Sequence, residues 1–177
     1  GSIETITALL AEGLVEQGHE VTLFATGGSV TRARLHAVYP LGYLENPALW
    51  PWELCELCNL SAAVRQAARF DLIHYQAPSA PFSLPFAGLC PVPLVQTVHH
   101  LPSPSEVALW SAEPAGPFIA VSAQQARALA PLPVAGVVHR RQRLVEAGDK
   151  NALALGKPEL VQAPPGGQPL DQIRQVG

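Results

Sequence analysis

Charge is scarce in this sequence. Asp, Glu, Lys and Arg make up 14% of its 177 residues, and the formal net charge is -3. Without a basic excess there is no electrostatic reason to expect a nucleic-acid partner. Long apolar runs are lacking too, although 48% of residues are hydrophobic. No run approaches the roughly 20 residues of a spanning helix, so an integral membrane segment is not expected. No secretory signal peptide is visible, and there is no internal repeat. Cysteine is sparse and odd in number, three in all. That excludes a disulfide framework and suits a reducing, cytoplasmic compartment. Cys55 and Cys58 form a C-x-x-C within a segment that reads as helix, and Cys90 stands alone. A structural zinc site takes four ligands, usually two such pairs. The expected role of these cysteines is therefore as small side chains on a helix face, and no metal is expected.

What the chain does have is a regular alternation of helical and extended patterns. Ile3, Ile6, Leu9, Leu10, Leu14 and Val15 recur at helical spacing. Ser2 is placed to cap that helix, Glu4 lies where its dipole favours negative charge, and Gly18 ends it. Val21 to Ala25 is a short apolar run of the kind found in buried parallel strands, followed by a loop, Thr26-Gly27-Gly28-Ser29. Further strands are expected at 35–39, 71–75, 93–98, 118–121 and 134–138. Helices are expected at 47–70, near 83–89, at 103–110 and at 122–129. In the longest, Leu49, Trp52, Leu54, Leu57, Leu60, Ala63, Val64 and Ala67 favour burial. Ser103 and Ser122 are the caps of the last two, with Pro104 at a first helical position. Trp50 and Trp52 read as buried aromatics, or as a sugar-stacking wall.

This order of elements predicts an α/β fold, a Rossmann-like doubly wound parallel sheet. Ligands bind such sheets beyond the carboxyl ends of the strands. Polar residues concentrate there: Thr26, His74, Gln76, His99, His100 and Ser122. The rhythm ends after His139, where Arg140-Arg141-Gln142-Arg143 begins a stretch with little to bury. The arginines read as a solvated face. The chain is thus expected to divide into a folded domain, 1–139, and a loosely ordered tail, 140–177.

Several segments also resemble a known family. Gly1-Ser2-Ile3-Glu4, Leu10-Ala11-Glu12-Gly13-Leu14 and Gly18-His19-Glu20-Val21-Thr22-Leu23-Phe24 look like the opening of family 4 glycosyltransferases with the GT-B fold. Asp71-Leu72-Ile73-His74, Thr97-Val98-His99 and Ile119-Ala120-Val121-Ser122 are similar to later motifs of that family and fall in the same order. The resemblance covers residues 1 to 139. It departs from the family pattern in three places. No strand precedes the opening turn, Ser2 replaces its second glycine, and Arg140 to Arg143 stand where an Asn-Gly-Ile-Asp turn leads to a second domain. The family's paired glutamates, Glu-x₇-Glu, belong to that second domain; the same spacing at Glu4/Glu12 and Glu45/Glu53 is treated as chance.

The resemblance implies one half of a GT-B enzyme that moves a sugar from a nucleotide-sugar co-substrate to a sugar or lipid-linked acceptor hydroxyl, with retention. It implies no resident cofactor and no catalytic metal, and it allows peripheral membrane contact. His99 is the expected catalytic residue. Gly1, Ser2, His74, Gln76, His100 and Ser122 are the expected substrate-binding ones, the Gly1–Ser2 turn facing phosphate at a helix N-terminus. The chain reads as a fragment without its first strand or donor domain, inactive alone, with two strand edges exposed and prone to aggregate. A non-catalytic α/β binding module, or an orphaned gene fragment, is the alternative. An NAD-type Rossmann enzyme is suggested only by Thr26-Gly27-Gly28, with no G-x-G-x-x-G after its first strand.

Overall fold

A computed structural model describes residues 2–42, 45–46, 48–49, 51–77, 81–112 and 116–138. The tail expected at 140–177, with its arginine cluster, lies outside the described residues, as do Gly1 and Trp50.

Helix α1 (Ser2–Glu16) carries the apolar stripe of the opening segment. Ser2 is itself helical, one position inside the cap expected of it. Gly18 sits at φ +89°, a left-handed conformation that glycine tolerates. Its amide donates to the Val15 carbonyl and the His19 amide to the Leu14 carbonyl, which satisfies the orphan carbonyls of the last turn. Strands β1 (Thr22–Ala25) and β2 (Arg34–Ala37) pair in parallel. The loop between them is tied to α1. Glu12 accepts from Thr31 Oγ1 at 2.7 Å and from the Arg32 amide at 2.8 Å, and Arg32 also pairs with Glu16.

Helix α2 (Trp52–Val64) is shorter than the expected 47–70 and is followed by a 3₁₀ turn, Ala67–Arg69. Pro51 accounts for the late start, because proline disfavours the helical conformation in the residue before it. Leu60, Ala63 and Ala67 are buried, but Leu54, expected inside, is 55% exposed. Six residues before Leu60, it lies about 120° around the helix.

Four parallel strands follow in spatial order: β3 (Ile73–Ala77), β4 (Leu94–Val98), β5 (Phe118–Ala120) and β6 (Val134–Val137). Helices α3 (Leu84–Ala87), α4 (Pro104–Trp110) and α5 (Ala123–Ala128) connect them. The order advances in one direction, so right-handed crossovers place these helices on one face. That face holds the core. Ile73, Tyr75, Leu94, Val98, Phe118 and Ala120 meet Leu60, Leu84, Val107, Trp110 and Leu129 there, and Trp110 stacks on Phe118 at 6.1 Å. Both expected caps form. Ser103 and Glu106 make a reciprocal capping box, and Ser122 accepts the Gln125 amide at 3.1 Å.

The single sheet expected from the pattern is present as two, β1–β2 and β3–β4–β5–β6. On β3, Ile73 N–H donates to the Pro93 carbonyl at 3.0 Å, so the alternate residues His74 and Gln76 turn their backbone groups to the opposite edge. No described residue bonds them there. On β1, Val21 accepts from Arg34, so Phe24 faces away from β2, and its carbonyl accepts from Asn59 Nδ2 of α2 at 3.1 Å. The link between the sheets is packing. Helix α2 lies against both β1 and β3, and Phe24 meets Phe70 edge-on at 6.0 Å. No helix among the described residues is long and apolar enough to cross a membrane.

Candidate functional site

Successive side chains of a strand point to opposite faces. Ile73 and Tyr75 of β3 enter the core, which sends His74 and Gln76 to the other face. The register pairs Gln76 with Thr97 of β4, so Thr97 shares that face. His99, two residues past Thr97 and one past the end of β4, returns to it. Four polar side chains thus converge at the carboxyl ends of two adjacent strands.

They form a continuous chain of hydrogen bonds. His99 Nε2 lies 2.8 Å from Gln76 Oε1, Gln76 Nε2 lies 3.0 Å from His74 Nε2, and Thr97 Oγ1 lies 2.8 Å from the same His74 nitrogen. The directions follow from the amide. Gln76 donates through its nitrogen, so His74 Nε2 carries a lone pair and also receives the Thr97 hydroxyl proton. The Gln76 oxygen accepts, so His99 Nε2 carries a proton. In a neutral His99 ring the acceptor is then Nδ1. Burial, and secondarily the neighbouring His99, lower the His74 pKa to about 4. His74 is therefore neutral at ordinary pH, as an acceptor in this chain must be.

Two of the expected site residues lie apart from this chain. His100 turns away on the extended backbone; its Nε2 is 2.9 Å from Glu106 Oε1, and its ring meets Trp110 edge-on at 6.1 Å. It is therefore not joined to the chain of hydrogen bonds through His74, Gln76 and His99. Glu106 is held down to about 2 by the Ser103 hydroxyl and amide and then by His100. Ser122 is occupied as the cap of α5. Gly1 lies outside the described residues, and Ser2 opens α1. Thr97 is not among the expected site residues. The signal for it was its place two residues before His99, which puts both on one face.

Two hollows open elsewhere. One, of about 260 Å³, is bounded by Pro102, Val107, Ala128 and Pro131; the other, of about 490 Å³, by Tyr39, Leu57, Cys58, Ser61 and Arg65. Neither is lined by a relay residue. Cys55, Cys58 and Cys90 are free thiols. Among the described residues no group of three or more His, Cys, Asp or Glu side chains is placed to hold a metal ion.

Parallel strands alternating with helices, with polar side chains gathered at the strands' carboxyl ends, suit a Rossmann-like half-domain. Residues 3–140 match the sequence profile of Glycosyltransferase Family 4. The chain belongs to that family. No curated protein matches it at a significant level. The matched span includes every residue of the relay, whereas Gly1 and Ser2 precede it. As a family 4 glycosyltransferase domain, the chain has the α/β architecture of a GT-B half.

Proposed function

We propose that this chain is the acceptor-side half of a GT-B glycosyltransferase, and that His99 with Gln76, Thr97 and His74 forms its contribution to the sugar-transfer cleft. The observation that carries the reading is the oriented chain of hydrogen bonds across β3 and β4. Sugar transfer from a nucleotide donor requires an acceptor hydroxyl held in line with the sugar, and stabilisation of the charge that develops there. His99, with Nε2–H donating to Gln76, is the residue that holds such a hydroxyl in this reading. Neutral His74 fixes the amide of Gln76, and Gln76 fixes the ring of His99. The reacting partners are a nucleotide sugar and a sugar or lipid-linked acceptor, in the cytoplasm, with peripheral membrane contact for a lipid-linked acceptor. The donor's diphosphate is met by groups beyond this relay, Gly1 and Ser2 among them.

Saturation-transfer NMR with UDP-glucose, GDP-mannose and NAD tests the proposal and separates it from a non-catalytic α/β binding module. Saturation of the sugar protons of one sugar nucleotide, weakened by His99→Ala, is the expected result. Binding of NAD alone, or sugar-nucleotide binding that His99→Ala leaves unchanged, would overturn it.

A further inference from the structure

The ladder between β4 and β5 stops one rung short of what its register allows. Gln96 pairs with Phe118 and Thr97 with Ile119. One more step would pair Val98 with Ala120, and the Val121 N–H would then donate to the Val98 carbonyl. That bond is not made. Val121 N–H donates instead to Gln125 Oε1 at 2.7 Å, and Gln125 Nε2 donates to the Val98 carbonyl at 2.7 Å. The side-chain amide of Gln125 has taken the place of the rung. Its second N–H donates to the His100 carbonyl, again at 2.7 Å.

We propose that Gln125 is a positioning residue for His99: its amide holds β4 and β5 apart at their carboxyl ends and fixes the backbone on both sides of His99. The proposal rests on the reading of the His99 relay as a binding site. An amide side chain suits this role because it carries both an acceptor and two donors, as the missing rung and the turn beyond it require. Gln125 is 2% exposed, so water does not compete for these bonds. Its backbone is anchored as well, through the Ser122 cap at the start of α5. Val98 and His100 flank His99, so clamping both carbonyls leaves the His99 ring few orientations. One of these brings Nε2 to Gln76.

The test uses the full chain with Gln125→Leu and Gln125→Glu. Glutamate keeps the shape and the acceptor for Val121, but when ionised it cannot donate to the two carbonyls. Three quantities are read: the imidazole ¹⁵N signals of His99, the side-chain amide signals of Gln76, and binding of UDP-glucose. Both variants should shift the His99 and Gln76 signals while those of His36, on β2, stay in place. Binding should weaken roughly tenfold or more, as expected when a reacting group is misplaced. A variant with a lowered Tm and unmoved His99 and Gln76 signals would reduce Gln125 to a structural residue and overturn the proposal. Should neither variant fold, the wild-type chain decides: through-bond couplings from the Gln125 amide to the Val98 and His100 carbonyls are expected, and their absence refutes the clamp. Failure of the wild-type chain to bind UDP-glucose would count against the cleft, whereas the NMR arms would still decide whether Gln125 sets the His99 ring.

Discussion

Acidification should destabilise this domain through one side chain, His74. Its ring is buried and committed as an acceptor to Gln76 and Thr97, and its pKa falls from 6.5 to about 4. The folded state is therefore harder to protonate than the unfolded chain. Below about pH 6.5 the unfolded chain takes up a proton that the folded chain refuses, so the stabilisation is complete above that value and is lost as pH falls towards 4. Between about pH 7.5 and pH 5 the loss from this one group is about 2 kcal/mol, at roughly 1.4 kcal/mol per pKa unit. At pH 5 Glu12 and Glu106, both held down to about 2, still keep most of their contributions, which are lost as pH falls from the ordinary carboxylate range towards 2. Glu56 works in the opposite direction. Burial raises its pKa, outweighing the Tyr75 hydroxyl, which donates to it at 3.0 Å and lowers it, so the folded state gains slightly as pH falls through its range. Comparison with His74→Gln cancels these background groups. The assay is urea unfolding of both proteins at the two pH values. The wild-type chain should lose about 2 kcal/mol more than the variant over that interval. Equal losses, or an NMR titration of His74 centred near 6.5, would refute the buried-acceptor assignment and the bond directions drawn from it.

The edge of β3 that no described residue bonds predicts an alternating pattern of amide exchange along that strand. Tyr75 N–H, directed to β4, should be protected, whereas His74 and Gln76 should exchange quickly; uniform protection would mean that another strand occupies the edge. Two glycines should respond with opposite sign. Gly13→Ala lies inside α1 with nothing within 4 Å of the new Cβ, and should stabilise by about 0.5–1 kcal/mol in thermal unfolding. Gly116→Ala drives its Cβ into the backbone carbonyl of Leu94, and should lower Tm and soluble yield. Ser103→Ala removes the cap of α4 and one side of its box with Glu106. It should cost about 1 kcal/mol in urea unfolding, and a loss within error would mean that Glu106 alone holds the helix start.

Much of the architecture was legible because it is local. Helical spacing in the opening segment, Gly18 at its end, Ser103 before Pro104 and Ser122 before α5 each act within a few residues. The short apolar runs gave the strands for the same reason. Where local signals compete, the pattern misleads. The apolar pattern from 47 to 70 overran both Pro51 and the tightening past Val64, and Leu54 matched in type but not in angle. The candidate site was partly legible. Period 2 puts His74 with Gln76, and Thr97 with His99, but nothing local joins the two pairs. His100, expected among the substrate-binding residues, bonds Glu106 and meets the Trp110 ring, contacts that no local pattern gives.

The sequence by itself determined the elements, their caps and the residues that could share a strand face, since each depends on interactions within a turn or a two-residue repeat. Only the tertiary structure decided that β3 and β4 are neighbours in the register that lets Gln76 bridge two histidines, that the strands form two sheets, and that Gln125 fills a rung between β4 and β5. Those outcomes depend on partners 20 or more residues distant in the chain. Such pairings are set by the packing of the whole core, which no short window of residues encodes.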